Sequence, residues 1–289
     1  MLADLHAHTF YSDGTLSPTQ LLCRAAHNKL THLAITDHDT TGAFDEIEHH
    51  PHPDNLQVLT GVEVSSLWEQ QEIHIVGIGF NRHDTALQTL LKRQQQLRRN
   101  RAEAMDMQLQ KAGITGLMGY LESLQCISIS RNHIADYLML QGIARSKEDA
   151  FKRLLGSRGK FSSPAQWCQI DEAIGAIRGA GGIAVLAHPN RYKISKHKLR
   201  RLVAEFAQAR GEAMEVSYAN LDPERMNQLA ALCVGNSLWA STGSDFHSPA
   251  AQWMDLGRFR HLPAICTERA IWLHPAWPGT ANAIEPSVS

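Results

Sequence analysis

The chain has 289 residues, 43% of them hydrophobic and 20% charged, and a net charge of −1 at neutral pH. That balance is ordinary for a folded globular protein and excludes a global basic field for nucleic acid or membrane surfaces. No apolar run approaches the ~20 residues of a membrane span, and the five cysteines, Cys23, Cys126, Cys168, Cys233 and Cys266, form no Cys-x-x-Cys pair and read as buried thiols in a reducing compartment.

The N-terminus runs straight into Asp4 and His6, so no signal peptide fits before them and a cytoplasmic location is expected. Leu2 to Leu5 reads as a short strand. Pro18 to Leu30 reads as a helix, with Ser17 as N-cap and Pro18 at the first helical position. Leu33 to Thr36 is a buried strand ending at Asp37-His38. Gln57 to Leu67 and Ile73 to Phe80 are strands joined by the polar Trp68-Glu69-Gln70-Gln71-Glu72, a hairpin connection. Residues 84–112 form a long helix ending at Gly113, and 131–142 and 146–156 two shorter ones. The alternation then resumes: a helix over Ile170 to Ala180, a strand over Gly182 to Ala187, a helix over Lys196 to Gln208, a strand over Ala213 to Ser217, a helix over Pro223 to Val234, and a strand over Leu238 to Thr242. This rhythm argues a parallel sheet or a closed βα-barrel, interrupted by a helical insertion.

Histidines and carboxylates recur at the ends of those strands: Asp4-Leu5-His6-Ala7-His8, Asp13, Asp37-His38-Asp39, Glu63, His74, His188-Pro189 and Asp245-Phe246-His247. With 16 histidines, random order gives about one His-x-His pair. The chain has two. His50-Pro51-His52 lies in the Pro-rich stretch His49 to Asp54 and reads as a solvated surface loop. His6 and His8 end a strand, where residues two apart share a face, so two imidazoles can grip one ion. Asp245 and His247 repeat that spacing. Glu63, between Val62 and Val64, is a carboxylate among apolar residues that needs a counter-charge, or else sits on a wet strand face. A barrel gathers strand ends at one face, and scattered structural histidines have no reason to recur there. Imidazole and carboxylate together suit Zn²⁺, Mn²⁺ or Fe²⁺.

Taken in order, Leu5-His6-Ala7-His8-Thr9, Ser12-Asp13-Gly14, Thr36-Asp37-His38-Asp39, Gly61-Val62-Glu63, His74-Ile75-Val76-Gly77, Ala187-His188-Pro189 and Gly243-Ser244-Asp245-Phe246-His247 resemble the PHP (polymerase and histidinol phosphatase) family of metal-dependent phosphoesterases. The likeness reaches about residue 273. The resemblance implies an α/β fold, a distorted seven-stranded βα-barrel with a helical insertion. On that basis residues 1–96 and 166–274 form the barrel, 97–165 the insertion, and 275–289 a loose tail. Within the family the likeness is to nucleoside 3′,5′-bisphosphate phosphatases, also described as bacterial 5′→3′ exoribonucleases. It rests on the insertion and on Ser130-Arg131-Asn132-His133, Gly159-Lys160, Gln166-Trp167 and His188-Pro189-Asn190-Arg191-Tyr192. Relatives usually carry Gly at the position of Asn190, and Asn suits a positive φ there.

The resemblance implies three divalent ions, with manganese first and iron or zinc as alternatives. One would take His6, His8, Glu63 and Asp245. A second would share Glu63 and take His74 and His188. A third would take Asp13, His38 and His247. A metal-bridging hydroxide would be the nucleophile, with no protein nucleophile, acting on the 3′-phosphoester of nucleoside 3′,5′-bisphosphates and of short 5′-phosphorylated RNA. Asp37 and Asp39 orient His38 from behind, or merely cap a strand end. Arg131, Arg191 and Lys160 are candidate substrate-binding residues, each alternatively a surface ion pair. The basic run Lys92-Arg93 to Arg101 reads as a solvated helix face. Trp167 or Tyr192 either stacks on a base or packs. The competing functional readings are another small-molecule phosphatase, such as one for histidinol phosphate, and a non-catalytic metal-binding scaffold. No obligate protein partner or membrane is implied.

Overall fold

The computed structural model describes residues 1–48, 50 and 53–278. His49, Pro51 and His52 of the His-rich loop, and residues 279–289 of the tail, lie outside the described residues.

Short apolar runs, each closed by polar residues, build the barrel wall. β1 (Ala3–Asp4) is followed by α1 (Pro18–His27), where Ser17 and Gln20 cap reciprocally. β2 (His32–Ile35) leads into the short α2 (Ala43–Ile47). β3 (Gln57–Trp68) and β4 (Gln71–Ile78) pair antiparallel through the two-residue turn Glu69-Gln70. Both turn residues have positive φ, as the right-handed twist of a tight hairpin demands.

α3 (Thr85–Lys111), capped by Asp84, spans two hydrophobic cores. Its Leu87, Leu90 and Leu91 pack on the barrel, while Ala102, Met105 and Leu109 belong to a separate cluster. That second cluster is the core of the insertion. It is shared with α4 (Leu117–Glu122), α5 (Arg131–Leu140), α6 (Lys147–Ala150) and a π-helical turn over Phe151–Leu155. β5 (Cys168–Gln169) returns to pair with β3, and α7 (Ile170–Gly179) follows. β6 (Ile183–Leu186), α8 (Lys196–Gln208), β7 (Ala213–Tyr218), α9 (Pro223–Gly235) and β8 (Trp239–Gly243) complete the wall.

Seven strands run in the order β1-β2-β3-β4-β6-β7-β8, with β5 off this path. β4 is antiparallel to both neighbours, and the other pairs on this path are parallel. The wall closes between its first and last strands: Leu5 N donates to Thr242 O at 3.1 Å, Asp245 N to His6 O at 2.9 Å, and His8 N to Phe246 O at 2.9 Å. One cluster draws on six strands through Ala3, Ala34, Leu59, Val76, Val185 and Ala213, which marks the barrel interior. Three of those six are alanines, consistent with a narrow lumen.

Of the loose tail expected over 275–289, only residues 275–278 are among the described residues. Trp272 and Trp277 pack on the interior cluster, and Pro278 is buried and accepts a bond from Gln57 Nε2. Two indoles and a proline have enough apolar surface to stay folded on the barrel floor through residue 278.

Candidate metal centre

Strand geometry brings the expected ligands together at the opposite, C-terminal end of the barrel. His6 and His8 follow β1, His38 follows β2, and His188 follows β6. Asp245 and His247 follow β8, while Glu63 and His74 sit within β3 and β4. Asp13 comes from the loop before α1. His188 and Asp245 have positive φ, at 28° and 54°. Such backbone in non-glycine residues is strained and persists only where surrounding structure holds it.

Glu63 is the hub, and it is 1% exposed. Its Oε1 lies 2.8 Å from His74 Nδ1, 3.0 Å from His188 Nε2 and 3.3 Å from His6 Nε2. Its Oε2 lies 2.9 Å from His38 Nδ1 and 3.3 Å from His8 Nε2. Five imidazoles therefore surround one carboxylate, divided between its two oxygens. Three groups of donor atoms fall within 4.8 Å of one another: His6, His8, Glu63 and Asp245; His8, Asp13, His38 and His247; and His38, Glu63 and His74. The first is the set expected for one ion. In the others His8 and His38 are each shared, and His188, expected with Glu63 and His74, belongs to none of the three, although its Nε2 lies 3.0 Å from Glu63 Oε1.

Six donor atoms in this centre are buried without a hydrogen-bond partner: His6 Nε2, His8 Nε2, Asp13 Oδ1, His38 Nδ1, Glu63 Oε2 and His188 Nδ1. Buried polar atoms are almost always satisfied, so such a concentration fits a site made to hold cations. The electrostatics agree. Burial opposes the charge on Asp13, Glu63 and Asp245, yet neighbouring imidazoles, and Arg191 for Asp245, hold all three well below the carboxylate range. Burial likewise opposes charge on His8, but the Asp245 and Glu63 carboxylates beside it carry it up to about 10. Burial pushes His38 down to about 4. Without cations, protons on some imidazoles balance the carboxylates, and divalent ions would replace those protons.

Two residues missed by the sequence reading brace the ligands. Glu215 in β7 contacts His6 Nδ1 at 2.7 Å and accepts from His188 N at 2.5 Å. This orients the His6 ring so that Nε2 faces the centre. The signal was present in Ala213-Met214-Glu215-Val216, a carboxylate in an apolar strand like Glu63. Asp4 accepts from Ser244 N at 2.8 Å and Gly257 N at 2.7 Å, pinning the closing strands together. Burial raises its carboxyl to about 6.

Asp37 and Asp39 do not hold His38. Asp37 accepts from Thr9 N at 2.7 Å, Thr9 Oγ1 at 2.6 Å and Ser12 Oγ at 2.6 Å, so it braces the loop after His8. Asp39, at φ 49°, accepts from Ser65 N at 2.9 Å and pairs with Arg98 Nε at 2.7 Å. Arg98 also donates to Ser65 Oγ at 2.6 Å and to Ile129 O at 3.0 Å, and is 7% exposed. The solvated helix face expected over 92–101 is therefore wrong for Arg98, and for the half-buried Arg101.

A cavity of about 160 Å³ joins the metal centre to the insertion. Asp13, His38 and His74 line one end, and Glu72, Arg98, Arg101, Arg131 and Trp167 also line it. Asn132, from the first turn of α5, donates to Asp13 Oδ2 at 2.7 Å. Arg131 pairs with Glu72 rather than standing free. Lys160 is exposed, lies over the Phe161 ring and does not line this cavity. Arg191 pairs with Asp245 and packs over Tyr218. Tyr192 is a packing residue: its hydroxyl donates to Ala187 O at 2.8 Å and accepts from His74 N at 3.0 Å. Asn190 lies in a 3₁₀ turn, and the positive φ falls on His188 instead, so that position needs no glycine.

Comparison with known proteins gives the same family from independent directions. The PHP domain model matches residues 4–161. The chain is 44% identical over 270 residues to the 5′-3′ exoribonuclease Rnm of Escherichia coli, covering 91% of each chain. It is 38% identical over 275 residues to the 3′,5′-nucleoside bisphosphate phosphatase of Chromobacterium violaceum, covering 93% of this chain and 94% of that one. A solved structure from C. violaceum, described as an amidohydrolase with bound sulfate and no metal, superposes with a TM-score of 0.86 at 36% identity, over 94% of this chain and 95% of that one. A Bifidobacterium adolescentis structure, described as a metal-dependent phosphoesterase, gives 0.71 at 28% identity over 85% and 87%. The nearly closed seven-stranded barrel and the matched sequence agree: this chain belongs to the PHP domain family.

Proposed function

We propose that this protein is a metal-dependent phosphoesterase cleaving the 3′-phosphoester of nucleoside 3′,5′-bisphosphates and of short 5′-phosphorylated RNA, releasing 5′-mononucleotides. The observation that carries this reading is the divided Glu63 carboxylate amid five imidazoles, joined by one cavity to arginines of the insertion. The names of the relatives, an exoribonuclease and a bisphosphate phosphatase, support the substrate class. His6, His8, Glu63 and Asp245 would hold one ion, Asp13, His38 and His247 another, and Glu63, His74 and His188 a third, with manganese the first choice and iron or zinc next. Ions there would acidify bound water and neutralise charge on the phosphoryl oxygens.

The protein's own groups then position the substrate. Arg191, paired with Asp245 beside the centre, would take a non-bridging oxygen of the reacting phosphate. Arg131, which lines the cavity, would take the 5′-phosphate. A nucleoside bisphosphate and the 5′ end of an RNA share that arrangement, so one pocket serves both. A histidinol phosphatase would have no need of a second anion site. A non-catalytic metal-binding scaffold is expected to have lost one or more ligand positions, and none of the nine expected ones is lost here.

Purified protein should contain close to three equivalents of divalent metal by elemental analysis. An active, fully loaded enzyme with one equivalent would contradict the site. Turnover of adenosine 3′,5′-bisphosphate and of a 5′-phosphorylated RNA should far exceed that of histidinol phosphate, and the reverse order would overturn the substrate assignment. Arg131→Ala should lower kcat/KM on 5′-phosphorylated substrates by roughly ten- to a hundred-fold, the worth of a charge-assisted contact. Equal losses on 5′-hydroxyl substrates would show that Arg131 does not read that phosphate.

A further inference from the structure

Glu72 and His74 lie two apart on β4, so both point from the same face of the strand. His74 reaches Glu63, and Glu72 lines the same cavity. There its two oxygens are split between two arginines from different elements. Oε1 accepts from Arg101 Nη2 of α3 at 2.8 Å, and Oε2 from Arg131 Nη2 of α5 at 2.8 Å. Both guanidinium groups are backed by aromatic rings: Arg101 lies 5.5 Å from the Trp167 centroid and Arg131 5.8 Å from that of Phe151. Arg101 is fixed further by donating Nε–H to Ser163 O at 3.0 Å. The neighbouring Arg98 is already matched by Asp39. Two braced cations thus share one carboxylate, in the two-oxygen geometry that a terminal phosphate also presents.

We propose that Arg101 and Arg131 form a clamp for the 5′-phosphate, and that Glu72 is an intramolecular anion which fills the clamp until a phosphate displaces it. This rests on the substrate reading above and adds Arg101 and Glu72 to it. The consequence is a limit on affinity. A phosphate entering the clamp must push aside a carboxylate that leaves no charge of its own behind, and the carboxylate returns when a 5′-mononucleotide departs. Glu72 therefore trades tight product binding for release, and it favours a dianionic terminal phosphate over a weaker anion such as a carboxylate.

The test is titration calorimetry of adenosine 5′-monophosphate and of adenosine into the metal-loaded protein and its Glu72→Gln variant. The variant keeps the side-chain shape but removes the competing charge. It should bind the mononucleotide about tenfold tighter, with no change for adenosine. Unchanged or weaker binding by a folded Glu72→Gln protein would overturn the competitor role and make Glu72 a brace for the arginines. Should that variant not fold, Arg101→Gln gives a second reading: about tenfold weaker mononucleotide binding supports the clamp, and unchanged binding removes Arg101 from it. The substrate reading fails separately, if the unaltered enzyme does not hydrolyse adenosine 3′,5′-bisphosphate, whatever the binding results.

Discussion

Replacing Glu63 with Gln should reduce kcat on adenosine 3′,5′-bisphosphate by on the order of 10³-fold or more, which is ~4 kcal/mol or more of transition-state stabilisation. No other side chain in the centre approaches so many donors: five imidazole nitrogens lie within 3.3 Å of its two oxygens. An amide keeps the volume but presents an NH₂ to at least one of those groups and supplies no charge. The metal content should fall with the activity, by at least one equivalent. The fold should survive, because Glu63 contributes nothing to the apolar clusters. Near-normal turnover with unchanged metal content would remove Glu63 from the bridging role.

The second large effect concerns stability. Arg98→Ala should destabilise the protein by about 3–5 kcal/mol, the usual cost of breaking a buried ion pair from one side. For a chain of this size that lowers Tm on the order of 10 °C in thermal denaturation. Asp39 would be left charged and buried, and Ser65 Oγ and Ile129 O would each lose a donor. These three partners come from the loop after β2, from β3, and from the segment entering α5. The damage should therefore reach both the His38 loop and the insertion. A loss under about 1 kcal/mol would show that water replaces the guanidinium without penalty.

The barrel and the gathering of the candidate ligands at one end of it were readable because most strands carry, at or near that end, a histidine or carboxylate that an apolar run would not otherwise contain. The parallel rhythm, the β3–β4 hairpin and the bounds of α8 came from local pattern alone, since period and turn chemistry are written in neighbouring residues. The role of α3 was not so plain. Its buried stripe runs Leu87, Leu91, Gln94, Arg98, Ala102, Met105 and Leu109, a steady three-to-four spacing with two polar residues in mid-stripe. Judged by charge alone, Arg98 belongs on the wet face. Judged by phase, it belongs in the core, and its partners Asp39 and Ser65 are too distant in sequence to be found by pattern. The same distance hid what Asp37 and Asp39 do, because both spend their hydrogen bonds on loops brought in by the tertiary fold. Lys160 differs for the opposite reason: a motif position was carried over, and the exposed side chain lies over the Phe161 ring without lining the cavity.

The closure of the barrel between residues 5–8 and 242–246 sets the order in which the protein is born. His6 and His8 leave the ribosome well ahead of Asp245 and His247, roughly tens of seconds earlier at ordinary synthesis rates. Until then β1 has one open edge, and its two imidazoles lack the carboxylate that completes their set. On the proposed assignment, the two sites that use Asp245 and His247 would stay incomplete in any nascent fragment ending before the last strand. The insertion, by contrast, has its own apolar core within residues 102–161 and can settle while the rest of the barrel is still being made.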